Sequence, residues 1–141
     1  MKRIIIDTNA ILDVLSDKSK QCFNLVKDAL LGGKRHSLVL IKGGTRMATE
    51  YGRIAALMDL LAVLDKAGRL LIKPSREVDN LALQIARKKI LKSDDEHVIA
   101  LAQISGSKIL ISYDTSLQAD FVNIIRGNVY KNSSHEHLLR S

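Results

Sequence analysis

The sequence predicts an α/β protein: a three-layer sandwich around a central parallel sheet of four or five strands. Three observations carry this. Short apolar runs, led by Ile4-Ile5-Ile6 and Ile109-Leu110-Ile111, lack the polar alternation of a half-exposed strand and read as strands buried on both faces. Stretches with apolar residues at helical spacing separate them, the pattern of a parallel sheet covered by helices. The 141 residues, 46% of them hydrophobic, suffice for one domain with its own core.

The elements follow in order. Ile4 to Ile6 is the first strand, ended by Asp7-Thr8-Asn9. Residues 10–16 form a short helix on Ala10, Ile11, Val14 and Leu15. Residues 19–31 form a second, with Cys22, Leu25, Val26, Ala29 and Leu30 on one face and Gly32-Gly33 as its stop. Ser37 to Ile41 is the second strand. After Gly43-Gly44, residues 45–67 are helical with a break near Gly52, and Gly68 closes them. Leu70-Leu71-Ile72 is the third strand. Pro74, the sole proline, opens a helix whose face is Val78, Leu81, Ala82, Ile85 and Ala86. Ser93-Asp94-Asp95-Glu96 has the form of a capping box and starts a helix running to about Ser105, stopped by Gly106. Ile109 to Ile111 is the fourth strand. Thr115-Ser116-Leu117-Gln118 repeats the capping-box pattern and opens a helix to about 125. Val129-Tyr130 is a short fifth strand. The domain is taken as 1–130, and 131–141 as a polar C-terminal tail.

Composition removes several classes of function. The lone Cys22 excludes a disulfide framework and a cysteine zinc site. No apolar run approaches the ~20 residues of a membrane span, and the N-terminus enters a strand without a signal-peptide pattern, so a cytoplasmic protein with no membrane partner is the default. Aromatic residues make up 4% and Trp is absent, which counts against an aromatic stacking platform for single-stranded nucleic acid. The net charge of +7 favours a polyanionic partner.

Ligands of open parallel sheets bind beyond the carboxyl ends of the strands. Strand one ends in Asp7, and strand four in Ser112-Tyr113-Asp114. The helix feeding strand four begins at Asp94-Asp95, and the helix after strand two carries Glu50 about two turns in. If strands one and four are neighbours, Asp7, Asp95 and Asp114 meet on one edge, with Glu50 able to join them. Each acid alone is explained by capping, Asp94 best of all. Convergence is not so explained, because no basic partner is evident beside them in sequence. Two carboxylates 5 Å apart at an effective dielectric near 20 repel by about 3 kcal/mol. A cation relieves this, and an all-oxygen donor set selects a hard ion, Mg²⁺ or Mn²⁺.

These segments resemble the PIN-domain ribonucleases, a family that includes toxins of toxin–antitoxin pairs. The resemblance rests on Ile4-Ile5-Ile6-Asp7-Thr8-Asn9, on Gly43-Gly44-Thr45 leading to Glu50, on Asp95-Glu96-His97-Val98-Ile99-Ala100-Leu101-Ala102, and on Ile109-Leu110-Ile111-Ser112-Tyr113-Asp114. It covers residues 1 to about 125. It implies a parallel α/β sandwich and a metal-dependent endoribonuclease, with Asp7, Glu50, Asp95 and Asp114 as catalytic acids and metal ligands. Asp95 is preferred to Asp94 because Ala100 and Ala102 match the family spacing from the acid. RNA as substrate also comes from the resemblance, as does an antitoxin partner; a homodimer stays open.

Such a site needs no Ser or Cys nucleophile, since metal-bound water attacks the phosphodiester. Thr8 and Ser112 stand beside the acids as hydroxyls that orient a carboxylate or water, or simply cap a turn. Arg87, Lys88, Lys89 and Lys92 precede Asp95 and are candidates for gripping substrate phosphates, against the plain reading of a solvated helix end. Leaving the four acids aside, 11 acidic residues face 22 basic ones, so the site sits on a cationic background. His97 reads as packing or as support behind the site, Asn9 as structural, and Asp120 as a surface helix residue or a further acid of the site. His135-Glu136-His137 reads as tail. Gly32-Gly33-Lys34-Arg35 follows a helix and lacks the Ser or Thr of a phosphate-binding loop. The rival reading is a non-catalytic PIN-fold module that binds RNA or protein. A phospho-acceptor receiver domain fails, because strand three ends in Ile72-Lys73-Pro74 rather than an acceptor Asp.

Overall fold

The computed structural model describes residues 2–140 except 32–37. Five parallel strands form one sheet: β1 (Lys2–Ile6), β2 (Leu38–Gly43), β3 (Leu70–Lys73), β4 (Ile109–Ile111) and β5 (Asn128–Val129). Their order is β3-β2-β1-β4-β5, every pair parallel. β1 is thus central, as its three wholly buried isoleucines require, and β4 lies beside it with Ile6 opposite Ile111. The chain runs outward from β1 to β3 and then returns to the other side of β1. The C-terminal ends of β1 and β4 therefore flank the point where the strand order reverses, the usual ligand crevice of such sheets.

Helices flank the sheet: α1 (Ile11–Leu15), α2 (Asn24–Leu31), α3 (Thr45–Gly52), α4 (Leu57–Lys66), α5 (Ser75–Lys88), α6 (Glu96–Ser105) and α7 (Thr115–Asp120). The break expected near Gly52 separates α3 from α4. α6 is apolar nearly all round, with Val98 to Ala102 buried, because it lies across β1, β2 and β3 on one side and against α5 on the other. Two glycines let α3 start where it does. A Cβ on Gly43 would sit 2.9 Å from the Lys73 carbonyl oxygen, and Gly44 adopts φ 94°, a conformation that favours glycine.

Several expectations need correction. The helix expected from 19 begins as a 3₁₀ turn over Gln21–Phe23 before α2. The helix opening at 115 is α-helical only as α7, to Asp120, and then widens into a π turn over Phe121–Ile125. Neither capping box forms. The N-cap of α7 is Asp114, whose Oδ1 accepts from the Ser116 and Leu117 amides, while Gln118 donates to the Ser112 carbonyl. Ser93 donates its hydroxyl to Asp120, so α6 starts two residues later than a Ser93 cap would place it. Within the segment expected to be a polar tail, Ser133–Leu139 is a 3₁₀ helix with Leu139 buried, tied to β1 by Lys2 donating to the Leu138 carbonyl at 2.9 Å. The Gly32-Gly33 stop, Lys34-Arg35 and Ser37 lie outside the described residues.

Candidate active site

β1 delivers Asp7 to its C-terminal end, and the parallel neighbour β4 delivers Ser112 and Asp114 to the same edge. The pairing is direct: the Asp7 amide donates to the Ile111 carbonyl at 2.8 Å. Asp7 is only 8% exposed. Its two carboxylate oxygens accept from the Thr8 amide at 2.9 Å and the Ser112 hydroxyl at 2.7 Å. Burial pushes the Asp7 pKa up, those hydrogen bonds oppose the shift, and the nearby Glu50 and Asp114 charges reinforce it.

Asp95, also 8% exposed, sits at the start of α6 without capping its amides. Burial, the Asp7 charge and an Asp114 carboxyl within hydrogen-bonding reach raise its pKa to about 7, against a partial offset from Arg46. Asp94 is exposed and offers the site only its backbone carbonyl. Glu50 approaches from α3, held by the Thr8 hydroxyl at 2.8 Å. Burial raises its pKa, but the hydrogen bonds from Thr8 and Arg46 outweigh that and the net shift is downward. The fold thus brings Asp7, Glu50, Asp95 and Asp114 to one edge, and Thr8 and Ser112 each hold one of these carboxylates. Behind Glu50, Tyr51 is wholly buried and donates its hydroxyl to the Ile6 carbonyl, fixing α3 against β1.

Arg46 was not foreseen. Its Nε donates to Glu50 Oε1 at 3.1 Å, its Nη1 to the Asp94 carbonyl at 2.8 Å, and its Nη2 lies 3.6 Å from Asp95 Oδ1. One guanidinium therefore bridges α3 and the turn that starts α6. The reading that the acids lack a basic partner is corrected accordingly. The i,i+4 spacing of Arg46 and Glu50 is a visible ion-pair signal on a helix. That the same cation reaches Asp95, 49 residues on, has no sequence signal.

Asp120 is not a surface residue. It is 3% exposed and accepts from the Lys92 amide, the Ser93 amide and the Ser93 hydroxyl at 2.7–2.9 Å. It fixes the turn leading to Asp95. Asn9 accepts from the Tyr113 amide, the structural role expected of it. His97 is buried, and that burial, with the Arg46 charge, pulls its pKa down to about 4, so it is neutral at pH 7. Arg87, Lys88, Lys89 and Lys92 are exposed, and none of them pairs with a carboxylate among the described residues. His135 accepts from the Lys131 amide, a local turn bond.

Four carboxylates suit a hard divalent cation by donor chemistry. Among the described residues no three such side chains are arranged to hold one ion, and Arg46 lies against the Glu50 and Asp95 carboxylates. An acidic cluster at the reversal point of a parallel sheet lies where such folds bind their ligands. The chain belongs to the PIN-domain family, whose model matches residues 4–121. PIN domains are generally nucleases. No curated protein matches the chain. No helix among the described residues is long and apolar enough to cross a membrane.

Proposed function

We propose that this chain is a metal-dependent endoribonuclease. The observation that carries the reading is the convergence of Asp7, Asp95 and Asp114, joined by Glu50, on one sheet edge, with Asp95 raised to about pKa 7 by burial and its acidic neighbours. Asp7, Asp95 and Asp114, with Glu50 as the fourth, are the residues that would hold Mg²⁺ or Mn²⁺. A divalent ion bound there would supply an acidified water and charge stabilisation for phosphodiester hydrolysis. Ser112 and Thr8 keep the Asp7 carboxylate oriented by their hydrogen bonds, and Thr8 does the same for Glu50. Arg87, Lys88, Lys89 and Lys92 supply positive charge for flanking phosphates.

The test is cleavage of labelled single-stranded RNA. Activity is expected with Mg²⁺ or Mn²⁺ and none in EDTA; cleavage that survives exhaustive chelation would overturn the metal mechanism. A second reading, a non-catalytic module binding RNA or protein, is favoured by one observation: Arg46 already neutralises part of the acidic cluster. RNA retained without cleavage in either metal would select it. Membership of a toxin–antitoxin pair rests on the family resemblance. Co-expression with the adjacent gene product, followed by purification as a complex and loss of cleavage, tests both the antitoxin and the toxin role. A homodimer is tested by mass in solution, and a cytoplasmic location by fractionation.

A further inference from the structure

Five aromatic residues occur in the chain, two Phe and three Tyr. Phe23, Tyr51, Phe121 and Tyr130 are buried, and Tyr113 alone is exposed, at 44%. It stands between Ser112 and Asp114, beside the acidic edge. The ring is fixed. Its backbone amide donates to Asn9 Oδ1 at 3.2 Å, and its hydroxyl donates to Asp13 Oδ2 at 2.6 Å. Phe23 supports it from the core, with ring centroids 6.5 Å apart. Lys20, itself bound to Asp13 at 3.3 Å, holds its ammonium 4.9 Å from the ring centroid.

A nucleotide unit carries a planar base and an anionic phosphate. Tyr113 and Lys20 present the two complementary groups, an immobilised, partly exposed ring and a cation over one of its faces, at the residue between Ser112 and Asp114. We propose that Tyr113 is a base-stacking subsite of the proposed nuclease, holding one nucleobase of a single-stranded RNA next to the cleavage site, with Lys20 meeting a neighbouring phosphate. The low aromatic content excludes a platform of several rings but not one ring placed at the site. The subsite rests on the nuclease reading, and it takes the base of an unpaired nucleotide, since bases stacked in a duplex have no free face to offer.

The experiment compares Tyr113→Phe and Tyr113→Leu with the parent protein. Both variants lose the bond to Asp13, but only Tyr113→Leu loses the ring. Fluorescence anisotropy with a short single-stranded RNA in EDTA reads binding, Mn²⁺-dependent cleavage reads KM, and melting temperature reads the structural cost. Tyr113→Phe is expected to bind RNA within about twofold of the parent, and Tyr113→Leu to bind about 5- to 150-fold more weakly, the range for loss of one stacked base. An abasic ribose-phosphate oligomer should bind all three alike. If both variants weaken RNA binding equally, the hydroxyl bond is structural and the subsite is refuted. If the parent cleaves RNA and Tyr113→Leu binds and cleaves as it does, the subsite falls while the nuclease reading stands. A parent that neither binds nor cleaves RNA overturns both.

Discussion

The two ends of the sheet treat charge in opposite ways. At the N-terminal end Lys2, Arg3 and Lys108 surround a cavity of about 440 Å³ with Ser105, Gly106, Ile109, Asn128 and Leu138. Each cation there donates to a backbone carbonyl near the end of a helix: Lys2 to Leu138, Arg3 to Ser105 and Lys108 to Ile125. Helices packed on a parallel sheet run against the strands, so their carbonyl ends, where negative partial charge accumulates, collect at this edge. The cations complement that field. At the C-terminal end, four carboxylates gather, two of them, Asp7 and Asp95, largely buried, and Arg46 bridges Glu50 and Asp95. One edge spends its charges on stabilising the fold. The other keeps two buried carboxylates, Asp7 and Asp95, whose ionisation burial opposes.

The comparison is broken most sharply by removing one charge from each edge. Asp7→Asn is expected to lower cleavage about 10²–10⁴-fold, as loss of metal-based charge stabilisation worth several kcal/mol requires. Initial rates on labelled RNA measure this. A variant that keeps wild-type rates would remove Asp7 from the site.

Stability against pH provides the next test. Asp95 ionises near 3.8 when unfolded but near 7 in the fold. Between these values the native state binds more protons than the unfolded one, so this group stabilises fully below about pH 4 and its contribution is lost as the pH rises through 7. Asp95→Asn removes the loss. In EDTA at pH 8 it should be more stable than the parent by on the order of 2–4 kcal/mol, although most substitutions destabilise. Denaturant titrations at pH 5 and pH 8 read the effect. Equal stability of parent and variant at both values would mean that the acids do not crowd.

Arg46 sharpens the picture of the acidic edge. If it stands in for part of the cation charge, Arg46→Gln should bind Mn²⁺ more tightly, on the order of tenfold, because a repelling charge beside the ion is gone. Mn²⁺ titration by electron paramagnetic resonance, without RNA, measures it. Unchanged or weaker binding would make Arg46 a clasp for α3 and nothing more.

The smallest effect belongs to the other edge. Lys108→Met loses a bond to the Ile125 carbonyl and a favourable helix-end charge, about 0.3–1 kcal/mol, or roughly 1–4 °C in melting temperature. Cleavage and Mn²⁺ affinity should not move. A change in either would couple the two ends and dissolve the contrast.

Periodicity carried most of the fold and local chemistry misled at its details. Buried runs such as Ile4-Ile5-Ile6 declare themselves, because a strand covered on both faces tolerates no polar residue. The three aspartates of the site were legible as strand-end and helix-start acids, and the Gly52 break was legible as well. The capping boxes failed because a capping pattern describes only local options. Ser93 has a second partner, Asp120, which lies 27 residues away and bonds it more completely than an α6 amide would. The C-terminal segment misled for a related reason: Leu139 is one of the few apolar residues among polar ones, and a single buried leucine with a tie from Lys2 is enough to dock it.

By itself the sequence determined the layers, the parallel sheet and the candidate acids, since these follow from apolar spacing and residue type, which are local properties. The tertiary structure alone decided that β4 lies beside β1, that Arg46 reaches across to Asp95, and that Tyr113 is the one Phe or Tyr ring left exposed. Those facts depend on distances between residues far apart in the chain. Charge coupling falls off over a few ångströms, and no spacing along the sequence records that distance.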